Sequence, residues 1–325
     1  MLVRFFRSQQ PFLLIILPVL SVLLWVPAFL HPVALPIKHE MPFYDLIAMP
    51  LSAYPLAATI LAFFLIVLQA FLFNYTIDKY EITGKSSYLP ALLYVLFTSF
   101  SPSLLHLHPV LFANIFIILA LNRVLGTYRS TSALSACFDA GFLIGIASLF
   151  YFPAIIILFF VMVGIFILRP FSLREFTIIF LGFLLPYLYI NTWYFVFGGG
   201  LEYLWIDKVW FPLINRDTTF NGIIAQPYSE LILFVAIAIV LSIGRGFDVG
   251  NRSVQHRSNL TVLRWFFVFA VLTMLLAPTL AYMYFFIALI PLLIILTGYF
   301  LWARLVWLAE LVLWLLIVTI IYNHF

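Results

Sequence analysis

Apolar residues fill this chain in long blocks, and its polar residues gather at the turns between them. A helix needs about 20 mostly apolar residues to cross the hydrocarbon core of a bilayer. Blocks of that kind run over residues 12–30, 56–77, 89–105, 110–125, 134–151, 154–168, 176–197, 231–244, 265–280, 282–301 and 305–322. They predict an all-α, polytopic membrane bundle of about 11 transmembrane helices. The shorter blocks must extend through interfacial residues or thin the bilayer locally. The one strongly polar interruption between the early blocks is residues 31–55, HPVALPIKHEMPFYDLIAMPLSAYP. Its prolines, Pro32, Pro36, Pro42, Pro50 and Pro55, bar a continuous helix. Between them PFYDLIAM has room for about two helical turns lying in the membrane interface.

Charge orients the bundle. With the N-terminus inside and the loops taken alternately, thirteen of the sixteen Lys and Arg residues, from Arg4 to Arg304, fall on the inner side. Only Lys38, Lys208 and Arg216 fall outside. That split follows the positive-inside rule, and one missed span would exchange the sides of every later loop. The C-terminus is therefore expected outside. Composition changes the picture in one way: the chain is 66% hydrophobic and 9% charged, with a mean hydropathy of +1.17. Soluble domains average about 45–50% apolar and about 25% charged, so a soluble fold is excluded. The net charge of +4 sits at span ends, where it reads as orientation and not as nucleic-acid binding. Cys137 is the lone cysteine, which excludes an intrachain disulfide. No cleavage signal follows the basic start MLVRFFRSQQPF, so the first block is expected to stay as a span. No internal repeat or linker divides residues 1–325, which form a single integral membrane domain. Walker A, dinucleotide-glycine and Cys-x-x-Cys motifs are absent.

The residues suited to chemistry collect on the predicted outer side. The first outer loop holds Lys38, His39, Glu40 and Asp45, and the turn LHLHP adds His106 and His108. Carboxylates and imidazoles serve both proton transfer and divalent-metal binding, and residue type alone leaves the choice open. The second long outer loop, residues 198–228, supplies Lys208 and Arg216, the cations that a lipid-linked phosphate would need. Within the spans, Asp139 and Glu310 lie near the inner, N-terminal ends of their helices, where the dipole favours an acid. Gly141 and Gly145 form a GxxxG pair, which predicts close helix packing. Gln69, Asn114 and Asn191 are expected to hydrogen-bond between helices.

This layout resembles the GT-C superfamily of membrane glycosyltransferases: many spans, N-terminus inside, an acid-bearing first outer loop with an interfacial helix, and a second long outer loop after the seventh span. Members carry an acidic pair early in that first loop, where this chain has His39-Glu40 and then Asp45. The resemblance implies transfer of a sugar from a polyprenyl-phosphate donor to an acceptor at the outer face of a bacterial inner (plasma) membrane. Glu40 or Asp45 would then deprotonate the acceptor or hold a divalent metal, while Lys38, Lys208 or Arg216 offset charge on the departing phosphate. His39, His106 and His108 would line the substrate site. Two other classes fit the composition. One is a non-enzymatic membrane subunit of an envelope assembly or export system. The other is a transporter using Asp139 and Glu310, though no repeat or broken-helix pair accompanies them.

Overall fold

The computed structural model describes residues 5–8, 10, 12–35, 41–100, 102–130, 132–197, 254–275, 285–302 and 306–324. Among the described residues there are eleven α-helices and no strand. In chain order they are α1 Leu13–Leu30, α2 Pro42–Leu51, α3 Pro55–Lys79, α4 Leu89–Thr98, α5 Pro109–Leu125, α6 Leu134–Phe150, α7 Ile156–Leu168, α8 Leu173–Phe197, α9 Val254–Leu275, α10 Phe285–Trp302 and α11 Val306–His324. Ten predicted spans each coincide with one of these helices, and α2 is the short helix expected in the first loop. The eighth predicted span, 231–244, lies outside the described residues, as does the loop 198–228.

Four helices, α1, α3, α8 and α10, are long and apolar enough to cross a membrane. α1 shows how such a helix is used. Its buried residues, Leu13, Leu17, Ser21 and Trp25, recur every fourth position and form one stripe against the core. The opposite face is just as apolar, with Leu14, Ile15, Val19, Val22 and Leu23 exposed. A helix apolar on all sides but packed on one stripe asks for an apolar solvent on the others. α4 and α10 have the opposite surroundings. Every residue of α4 is buried, and α10 is buried along most of its length, so these two form the centre of the bundle.

Two element ends differ from expectation. The block 89–105 is helical only to Thr98, followed by a 3₁₀ turn at Pro102–Leu104. Pro102 has no N–H to give the Thr98 carbonyl and disfavours helical geometry at the residue before it, so the helix stops short. α9 begins at Val254 instead of residue 265. Its polar first half still buries Leu260, Val262 and Leu263. Further along, Phe266 packs on Phe160 of α7 at 4.6 Å between ring centroids.

Glycines let α6 and α8 pack backbone against backbone. A Cβ on Gly141 of α6 would strike the carbonyl oxygen of Ile179 in α8, and one on Gly145 would lie 2.6 Å from the Phe183 oxygen. Gly182 of α8 faces the Phe138 carbonyl in the same way. Buried polar side chains join other helices. Tyr94 donates to Gln69 Oε1 at 2.6 Å, Gln69 Nε2 donates to the Leu111 carbonyl at 3.0 Å, and Asn114 Nδ2 donates to the Phe286 carbonyl at 3.2 Å. Gln69 thus links α3, α4 and α5, and Asn114 links α5 to α10.

The segments expected on one side of a membrane are tied to one another. At the predicted inner end, Arg7 donates to the Phe300 carbonyl, Trp302 to the Thr83 carbonyl and Tyr80 to the Asn122 carbonyl. Arg169 pairs with Glu175 at 3.1 Å and donates to the Thr127 and Ser130 carbonyls. At the predicted outer end, Trp25 Nε1 donates to Ser99 Oγ at 3.1 Å, and the His324 ring bonds the Ser99 carbonyl at 2.9 Å.

Candidate functional site

The first loop and the LHLHP turn come together. Pro42 occupies the first turn of α2, where its missing N–H has no helical role, and Met41 before it is extended. Tyr44, buried in that first turn, donates its hydroxyl to the Leu107 carbonyl at 3.2 Å. An aromatic cluster supports the contact. Phe43 meets Phe150 at 5.5 Å, Tyr44 meets Phe112 at 6.3 Å, and Phe112 stacks on Phe150 at 5.0 Å between centroids. α2 is therefore fastened to the tops of α5 and α6. Asp45 follows Tyr44 in the first turn and is partly exposed, where the helix dipole favours a carboxylate.

His106 and His108 sit in the turn beneath, with ring centroids 5.8 Å apart. They differ in surroundings. His106 is half-buried. His108 is 1% exposed, its ring is 5.0 Å from that of Phe286, and neither ring nitrogen has a hydrogen-bond partner among the described residues. Burial pushes its pKa well below the usual histidine value, with a smaller push from His106, so the ring is neutral. Pro109 explains the placement: it starts α5, forces His108 into extended backbone, and turns its side chain into the bundle. A substrate would have to open this turn to touch His108.

Of the other sequence candidates, Lys38, His39, Glu40, Lys208 and Arg216 lie outside the described residues. Asp139 forms an ion pair with Arg123 of the neighbouring helix at 3.4 Å, both side chains being about half exposed. This ion pair adds to the structural role expected from its place near the N-terminal end of α6, where the dipole favours an acid. Glu310 lies in the first part of α11 and is partly buried. No group of three or more His, Cys, Asp or Glu side chains that could hold a metal occurs among the described residues.

The sequence reading missed a cavity at the other end of the bundle. It has a volume of about 560 Å³ and is lined from the end of α3 by Lys79, Tyr80, Glu81 and Gly84. Gln255 and His256 in the first turn of α9 and Trp302 at the end of α10 complete it. Assigning the inner-side cations to orientation alone hid this site. The run DKYEITG carries no motif that marks it; the left-handed backbone at Glu81 is seen only in the structure.

No curated protein and no solved structure matches the chain. Residues 9–325 do match one family, described as a family of unknown function, and this covers both ends of the bundle, α2 and the LHLHP turn. The chain belongs to the family DUF6427.

Proposed function

We propose that this protein is a multi-span membrane protein, N-terminus inside, that transfers a sugar from a polyprenyl-phosphate donor at the outer face, in the manner of GT-C glycosyltransferases. The observation that carries this reading is the docking of α2 on the LHLHP turn through Tyr44 and Leu107. It sets Asp45, the next residue, on a helix packed against α5 and α6 instead of on a loose loop, and a general base must be held in one geometry to work. Asp45 or Glu40 takes the acceptor proton in this reading, alone or through a divalent metal. Lys38, Lys208 and Arg216 offset charge on the leaving lipid phosphate.

A second reading, a non-enzymatic membrane subunit of an envelope assembly or export system, draws on the sealed His108 and on the structural pairing of Asp139. Complementation separates the two. In a deletion strain, Glu40→Gln and Asp45→Asn proteins should accumulate in the membrane at wild-type level, and at least one should fail to restore the wild-type phenotype. Full restoration by the double mutant would remove acid–base chemistry from this loop and leave the subunit reading in first place.

A further inference from the structure

The cavity at the predicted inner end holds two opposite charges in fixed positions. Lys79 is the cation. Its ammonium lies 5.2 Å from the Tyr80 ring centroid and 5.7 Å from that of Tyr75, and donates to Asn122 Oδ1 at 3.2 Å. Asn122 is held in turn, accepting from Tyr80 and donating to Thr76 at 3.2 Å. Among the described residues Lys79 is a positioned charge with no carboxylate in ion-pair contact, lining an opening of a size typical for ligand sites, roughly 300–1,000 Å³.

Glu81 is the anion, and the backbone holds it there against preference. Ile82 N donates to the Ile77 carbonyl and Glu81 N to the Asp78 carbonyl, each at 3.1 Å, which closes α3 in a Schellman motif. Buried Ile77 and Ile82 supply the accompanying apolar contact. The motif needs a left-handed residue at Glu81, whose φ is +48°. Glycine takes this conformation freely and an L-residue does not. A strained residue held at the lip of a cavity points to a use for its side chain. Trp302 stands across the opening, 55% exposed, with its Nε1 donating to the Thr83 carbonyl at 2.9 Å. α3 and α10, which bring Lys79 and Trp302, are both long and apolar enough to cross a membrane, so the cavity lies at their ends, at headgroup level.

We propose that this cavity binds a phosphate ester carrying a primary ammonium, supplied by a phospholipid of the phosphoethanolamine type. Lys79 meets the phosphate, Glu81 meets the ammonium, and Trp302 packs at the glycerol level. An anionic headgroup satisfies Lys79 but is repelled by Glu81. A quaternary ammonium has no N–H to give the carboxylate.

Native mass spectrometry of the full chain in detergent tests this, with phosphatidylethanolamine, phosphatidylglycerol and phosphatidylcholine of equal chain length as probes. Phosphatidylethanolamine should be retained at about tenfold lower concentration than the others, the scale of one charge-assisted hydrogen bond. Lys79→Gln should lose that retention and Lys79→Arg should keep it. Glu81→Gln should move the preference to phosphatidylglycerol. Glu81→Gly should raise the thermal midpoint while losing the preference, which separates binding from folding. Equal retention of the three lipids, or an unchanged order in Glu81→Gln and Glu81→Gly, would overturn the proposal. Binding of soluble glycerophosphoethanolamine as tight as that of the lipid would overturn the lipid source.

Discussion

Gly141→Ala tests the packing that joins α6 to α8. The added Cβ would overlap the Ile179 carbonyl oxygen and lie 2.9 Å from its carbon. Both atoms belong to the backbone of a helix, so no side chain can rotate out of the way. The helices must separate by on the order of 1 Å, which forfeits a quarter to a half of each contact along the seam. The same separation stretches the 2.6 Å hydrogen bond between Ser148 and Tyr187 and lifts Gly145 and Gly182 from the carbonyls they face. Overpacking of this kind costs about 1–3 kcal/mol, and a rigid neighbour puts it at the upper end. Alanine returns up to about 1 kcal/mol through helix propensity. A net loss of about 2 kcal/mol is expected. Gly164→Ala is the internal control, because its Cβ meets a side-chain methyl, Val124 Cγ1, at 2.9 Å. Its net change should stay within about 1 kcal/mol, since a side chain yields where a backbone does not. Unfolding in mixed micelles of rising SDS content, followed by tryptophan fluorescence, reads both variants. Equal stability of the two would refute the close approach of α6 and α8.

Two further outcomes follow from buried ionisable groups. His108 is held neutral, so its folded pKa is below its unfolded value of 6.5. The unfolded chain then binds more protons as pH falls below 6.5, and stability should be greatest above that value and decline beneath it, by up to about 1.4 kcal/mol per pH unit. In His108→Phe the decline between pH 6.5 and 5.5 should be measurably shallower in the same micelle titration; an unaltered slope would clear His108 of it. The Arg169–Glu175 pair is the second, with side chains 17% and 8% exposed. Arg169→Ala leaves a buried carboxylate without its partner and should cost about 3–5 kcal/mol, while replacing both residues by leucine and methionine should cost less. A double variant as unstable as Arg169→Ala would contradict that ordering.

Most of the helix layout was legible because apolar blocks and prolines mark it directly. Gly141 and Gly145 announced a close approach, but Gly182, which completes it from α8, is about forty residues away and carries no local mark. Gln69 and Asn114 were legible as buried hydrogen-bonding groups, while their partners Tyr94, Leu111 and Phe286 were not, because pairing between distant segments leaves no periodic trace. The early stop of α4 was written in Pro102. The early start of α9 was not, since QHRSNLTVLR looks like a loop until Leu260, Val262 and Leu263 find a surface to pack on. At the site, residue type singled out Asp45, His106 and His108, but burial of His108 against Phe286 depends on α10, far along the chain. The cavity beside Lys79 escaped notice because a cation at a span end already had an explanation.

Sidedness is the claim on which both the outer-face reading and the lipid site depend. Cys137 is buried, and its replacement by alanine gives a background for single cysteines at Lys38, Arg216, Lys85 and Arg257. A membrane-impermeant maleimide applied to intact cells should label the first two positions and reach the other two only after the membrane is opened. Labelling of Lys85 or Arg257 in intact cells would contradict the account.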